Sequence, residues 1–162
     1  MRHLLLAAGL LTAAASLATP AFALDPVTPK DKAFFISLEN KLWTAWNARL
    51  KPSDAAPFYS KDPGNLYFDL SPLKFTGWAE YERTASQALA GGGHAETHIN
   101  DQDFTVIKQG DLVVTAFTFD VKFEGPQGTP SSFTGRETDV WTKEGGHWVI
   151  VHQHMSTPMG GK

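Results

Sequence analysis

Leu112-Val113-Val114-Thr115-Ala116-Phe117-Thr118-Phe119-Asp120-Val121-Lys122-Phe123 is the stretch on which the fold turns. Its β-branched and aromatic residues argue for a long strand. Side chains alternate between the faces of a strand, so Phe117, Phe119, Val121 and Phe123 share one side. Upstream, Gln109-Gly110-Asp111 is a tight hairpin signal that joins this strand to a β-rich run from Thr97 to Lys108. Downstream, Glu124 to Pro130 carries two Gly and two Pro and reads as an exposed connection. Phe133–Thr142 is the next strand, Glu144-Gly145-Gly146 the next hairpin, and Trp148–Met155 the last strand. Residues 159–162 are expected to form a flexible tail.

Toward the N-terminus the pattern becomes helical. Trp78 to Leu89 places Trp78, Tyr81, Ala85 and Leu89 along one side of a helix that Gly91-Gly92-Gly93 ends. Before it come a short strand, Leu66–Asp69, and a turn, Asp62-Pro63-Gly64-Asn65. Ser53 is positioned to cap a short helix through Tyr59, with Asp54 in its first turn. The first helix has Thr28 as N-cap, Pro29 in its first position and Asp31 completing a capping box. Phe34, Phe35, Leu38, Leu42, Ala45 and Trp46 recur at helical spacing until Lys51-Pro52 stops it. Helices first and an antiparallel meander after them define an α+β domain with the helices on one sheet face.

Residues 1–23 stand outside this pattern. A basic start, an apolar run from Leu4 to Leu17 and Ala21-Phe22-Ala23 have the three-part order of a secretory signal cleaved after Ala23. The apolar run is too short for a stable span, so no membrane association is expected after cleavage, and the mature protein is expected to be periplasmic or secreted. Residues 24–30 form a short leader and residues 31–158 one domain. The absence of cysteine excludes thiol chemistry and disulfides. A net charge of −3 with no Lys/Arg cluster argues against nucleic acid as a partner.

The order of these segments carries a resemblance. Trp43-Thr44-Ala45-Trp46-Asn47 resembles the end of the first helix of SnoaL-like domains, members of the nuclear transport factor 2-like superfamily. Phe58–Asp62 and Phe68–Trp78 are similar to the middle of that family, and Gly135–Trp141 and His147–Ser156 to its last two strands. The resemblance spans about Phe34 to Pro158 and implies a cone in which the helices pack on a curved antiparallel sheet around one pocket. It also implies a homodimer formed through the sheet. The last two strands are similar to the association domain of calcium/calmodulin-dependent protein kinase II, where pocket arginines form an anion site. The matching positions hold Phe119, Asp139 and Met155, which removes that positive charge. The same alignment places Glu137, Asp139 and Trp141 on the pocket side.

Several side chains could give the pocket its chemistry. Alternation puts Trp148, Ile150, His152 and His154 on one face of the last strand and Val149, Val151 and Gln153 on the other, unless a bulge flips them. His152 and His154 could relay protons or, with Asp69, Asp139, His94 or His98, hold a metal. No dense ligand cluster marks such a site, so neither metal nor cofactor is expected. Asp69 and Asp139 are candidates for a general base, with Tyr59 and Tyr67 as hydrogen-bond donors, by analogy with ketosteroid isomerase, a fold relative. Twelve per cent of the chain is aromatic. Trp46, Tyr59, Tyr67 and Trp78 from the helical half, with Phe117, Phe119, Glu137 and Trp148 from the sheet, are the expected lining of an apolar pocket for a small organic molecule. The alternatives are a pocket enzyme of isomerase, dehydratase or hydrolase type and a non-catalytic dimerisation module.

Overall fold

The computed structural model describes residues 23–124 and 130–158. The expected leader up to residue 22, most of the expected exposed connection (residues 125–129) and the expected tail over 159–162 lie outside the described residues. Helix α1 spans Pro29–Arg49 and opens with the expected capping box: Asp31 N–H donates to Thr28 Oγ1 at 3.1 Å and Thr28 N–H donates to Asp31 Oδ2 at 3.0 Å. It ends one turn-residue before Lys51-Pro52, where Leu50 takes a left-handed φ of 48°. Its inward stripe is Phe35, Glu39 and Leu42, at spacings of four and three. The short helix α2 runs over Pro52–Ala55 and continues as a 3₁₀ turn over Ala56–Phe58. Ser53 therefore sits inside α2 and is not its cap, because Pro52 supplies the helical φ one residue earlier. Helix α3 covers Gly77–Ala88 and buries Trp78 and Tyr81.

Seven strands form one sheet: β1 Leu66–Phe68, β2 Phe75–Thr76, β3 His94–Ile99, β4 Thr105–Gln109, β5 Leu112–Glu124, β6 Pro130–Glu144 and β7 His147–Ser156. Their order is β2-β1-β7-β6-β5-β3, with β4 also on β5. The expected all-antiparallel sheet is corrected to a mixed one, since β1 runs parallel to β7. Tyr59 already bridges Ile150 in parallel before β1 begins, so the chain arrives alongside β7 in the same direction. The β-rich run read over Thr97–Lys108 is two strands on the same edge of β5, divided by a turn that Asp103 ties down by accepting the Thr118 N–H at 3.1 Å. Opposite Phe119, Gly135 leaves the space that the phenyl ring fills, and a Cβ there would stand 2.4 Å from Phe119 Cζ.

One irregularity decides which side of β7 does what. Trp141 pairs with Ile150 but Val140 pairs with His152, so Val151 is an extra residue on β7. A bulge of this kind reverses the alternation beyond it. Ile150 points inward before the bulge, and Gln153 and Met155 point inward after it. His152 and His154, expected to share the face of Ile150, are thereby turned to the other face, and the buried polar group is Gln153.

Candidate functional site

The helices and the concave sheet face leave a cavity of about 520 Å³. Helix α1 contributes Trp43, Trp46 and Asn47, and α3 contributes Tyr81 and Ala85. The sheet supplies Val121, Phe123 and Phe133 with Gln153 and Met155, while Asp69 to Pro72, following β1, form the remaining rim. No Lys, Arg or His among the described residues lines it. The polar groups in the wall are connected. Trp46 Nε1–H donates to the Tyr59 hydroxyl at 3.1 Å, and Tyr59 donates to Gln153 Oε1 at 3.1 Å. Tyr81 O–H donates to Asp69 Oδ2 at 2.8 Å.

Behind this wall, three carboxyl groups meet. Gln153 Nε2–H donates to Glu137 Oε1, and Trp43 Nε1–H donates to Glu137 Oε2 at 3.1 Å. Asp139, next on the inward face of β6, lies between Glu137 and Glu39 of α1. Glu39 Oε1 accepts from Thr115 Oγ1 at 2.7 Å and from Trp141 Nε1 at 2.9 Å. All three carboxyls are buried, and among the described residues no cation joins them. Both Asp139 oxygens and Glu39 Oε2 lack any ordinary donor. Buried carboxylates of like charge cannot all ionise, so protons between the groups supply the missing partners. Burial first, and the neighbouring carboxylates next, push Glu137 and Asp139 far above the usual carboxylate range. Burial raises Glu39 from 4.5 to about 7.

Burial also raises Asp69, against the opposing hydrogen bonds from Tyr81 and the Leu70 N–H. Burial and the surrounding carboxylates hold the Tyr59 and Tyr81 phenols well above 10, and burial moves Tyr67 to about 12. All three phenols are therefore neutral donors near neutral pH. Chemically, the cavity offers aromatic and aliphatic walls, phenol and amide groups, and one carboxyl that can hold a proton or pair with a positive charge.

The expected site residues divide by depth. Trp46, Tyr59 and Asp69 line the cavity. Trp78 stacks on Tyr59 with centroids 4.2 Å apart and Tyr67 meets it edge-on at 5.5 Å, so both back the wall without reaching the cavity. Phe119 packs 5.3 Å from Trp43, and Glu137 stands behind Trp43 and Gln153. Phe117 stacks on Phe104 and Trp148 packs on Phe35, both away from the cavity. Asp139 is sealed behind the wall, and it pairs with neither histidine nor Arg136, whose Nε–H donates to Ser156 Oγ at 2.9 Å. His152 Nδ1 lies 2.8 Å from Leu66 O and closes the β1–β7 seam. His154 is exposed on the outer face. Among the described residues no group of three or more His, Asp or Glu is arranged to hold a metal. Glu39, Tyr81 and Gln153 were not legible as site residues, and Trp43 only as one of the five tryptophans that together could build an apolar pocket. The four-and-three spacing of Phe35, Glu39 and Leu42 is the signal that marks Glu39; for Gln153 the hidden bulge removes any signal.

The sequence profile of the SnoaL-like domain family matches residues 40–160, and the chain belongs to that family. Its fold is the nuclear transport factor 2-like α+β fold, an unclosed curved mixed sheet with three helices. A nuclear transport factor 2-like superfamily protein from Salmonella enterica is similar, with a TM-score of 0.68 at 20% identity, covering 79% of this chain and 91% of that one. So is the association domain of C. elegans CaMKII, with a TM-score of 0.61 at 20% identity, covering 79% and 96%. A nuclear transport factor 2-like protein from Streptomyces avermitilis, described as a candidate dehydratase, has a TM-score of 0.66 at 16% identity, covering 82% and 100%. A comparison with curated proteins returned no match.

Proposed function

We propose that the chain is exported, loses residues 1–23, and binds one small, largely apolar organic molecule in the cavity between α1, α3 and the sheet. The observation that carries this reading is the cavity itself: about 520 Å³ of space walled by Trp43, Trp46, Phe75, Phe123 and Phe133. That volume falls in the range of small-molecule sites, roughly 300–1,000 Å³. A solidly packed aromatic core would leave no such volume. The lack of a basic lining residue among the described residues argues that the occupant is not an anion. A second reading, proton transfer to or from the bound molecule, is favoured by one feature, the raised Asp69 carboxyl held by Tyr81 in the wall.

Pairing of two copies through the outer sheet face belongs to the same reading. Ile107, Val114 and Val140 are cross-strand neighbours there, and Ile107 and Leu112 are 43% and 47% exposed. Native mass spectrometry of protein expressed with its leader tests the three parts together. The expected result is a chain that starts at Leu24, two subunits, and one retained organic molecule per subunit that gentle activation releases. A chain retaining residues 1–23 would contradict export. A monomer would contradict the pairing. A protein that stays unliganded after exposure to hydrophobic extracts would contradict the binding role.

A further inference from the structure

We infer that the molecule this cavity takes is an organic cation, an amine whose apolar body fills the aromatic chamber and whose ammonium group meets Asp69. The inference rests on the proposed binding role of the cavity and narrows it to one chemical class. Asp69 stands in the cavity wall. Its Oδ2 accepts from Tyr81 at 2.8 Å and its Oδ1 from the Leu70 N–H at 2.6 Å, and both partners are neutral. No described Lys, Arg or His lines the chamber to balance it. A carboxylate in largely apolar surroundings is costly to ionise unless a positive charge comes to it. In this chamber the protein supplies none, so a cationic ligand would.

The remaining walls suit the same occupant. Trp43, Trp46, Phe75 and Tyr81 line the same cavity, and Trp46 and Phe75 pack on the Tyr81 ring that touches Asp69. Aromatic rings attract ammonium groups through their quadrupole, and more strongly where water is excluded. A carboxylate ligand would face Asp69 with the wrong sign, and a neutral ligand would leave Asp69 without a counter-charge.

A matched series tests this. Isothermal titration of the mature protein near neutral pH would use phenylpropyl-ammonium, the alcohol of the same chain length and the matching carboxylate. The ammonium is expected to bind about tenfold or more tightly than the alcohol, with the carboxylate weakest. In Asp69→Asn the ratio of ammonium to alcohol affinity is expected to fall to about one. Asp69→Ser serves as a second variant should the first fold poorly. An alcohol that equals the ammonium in the unaltered protein, or a ratio that survives both substitutions, would overturn the cation proposal and leave the cavity reading standing. Failure of all three compounds to bind would overturn both.

Discussion

Asp139→Asn is expected to make the protein more stable at mildly alkaline pH and to flatten its dependence on pH. Asp139 is wholly buried between Glu39 and Glu137, and neither of its oxygens has an ordinary donor. In the folded chain these acids keep their protons to higher pH than in the unfolded one. The folded state therefore binds more protons, and stability falls as pH rises. For Glu39 the loss begins near the ordinary value of 4.5 and is complete above about 7. That window corresponds to about 3 kcal/mol. Glu137 and Asp139, raised well above the usual range, extend the decline to higher pH. An asparagine retains the shape of Asp139, and its amide can donate to both flanking carboxylates without needing a proton from solution. The expected gain at alkaline pH is about 1–3 kcal/mol, while at acidic pH the two proteins should be similar. Thermal melts across pH check this. An unaltered protein whose melting point does not fall with pH, or a variant equally destabilised at every pH, would contradict the shared-proton arrangement.

Trp141→Ala is expected to be among the most damaging single substitutions in the chain, costing about 3–5 kcal/mol from lost packing alone. The indole has no exposed surface. It packs 6.4 Å from Phe35, and its N–H serves Glu39 at 2.9 Å and lies 3.1 Å from Thr115 Oγ1. The ring thus fastens α1 to the sheet twice, by area and by a hydrogen bond to a group otherwise costly to bury. Trp141→Phe separates the two contributions: it retains most of the ring and removes the donor, for an expected loss of about 1–3 kcal/mol. Denaturant unfolding of both variants measures the split. Equal losses would show that the Glu39 contact dominates, and a silent Trp141→Phe would show that packing alone anchors the helix.

The elements of the fold were legible where local chemistry is self-sufficient. Thr28, Pro29 and Asp31 define the start of α1 through a capping box that needs no tertiary contact, and Gly145-Gly146, both at positive φ, define the β6–β7 hairpin. The parallel pairing of β1 with β7 was not legible, because it depends on where the chain lies after the 3₁₀ turn. Alternation along β5 put Phe117 and Phe119 inside, and the resemblance to the kinase association domain did so for Glu137 and Asp139 on β6; all four are buried. It reports a face and not a depth, so it could not separate Trp46 and Tyr59, which reach the cavity, from Trp78, Tyr67 and Phe119, which back its wall. On β7 it failed outright for His152 and His154. The extra residue Val151 leaves no mark in composition or spacing, and it exchanges a histidine pair for Gln153 at the wall of the cavity. Glu39 was overlooked in a different way: its place between Phe35 and Leu42 marks the buried face, while its charge argues for exposure until its partners across the core are known.

The most direct measurement of the cavity reading is a fluorescence titration of the mature protein and of Ala85→Trp with an uncharged naphthalene derivative. Trp43 and Trp46 line the space and report its occupancy, while Ala85 faces it from α3, where an indole would fill the volume. Saturable one-to-one quenching in the unaltered protein is expected, with loss of that binding in a stably folded Ala85→Trp. Quenching that never saturates, or that is equally strong with the cavity filled, would contradict the claim that this hollow is a binding site.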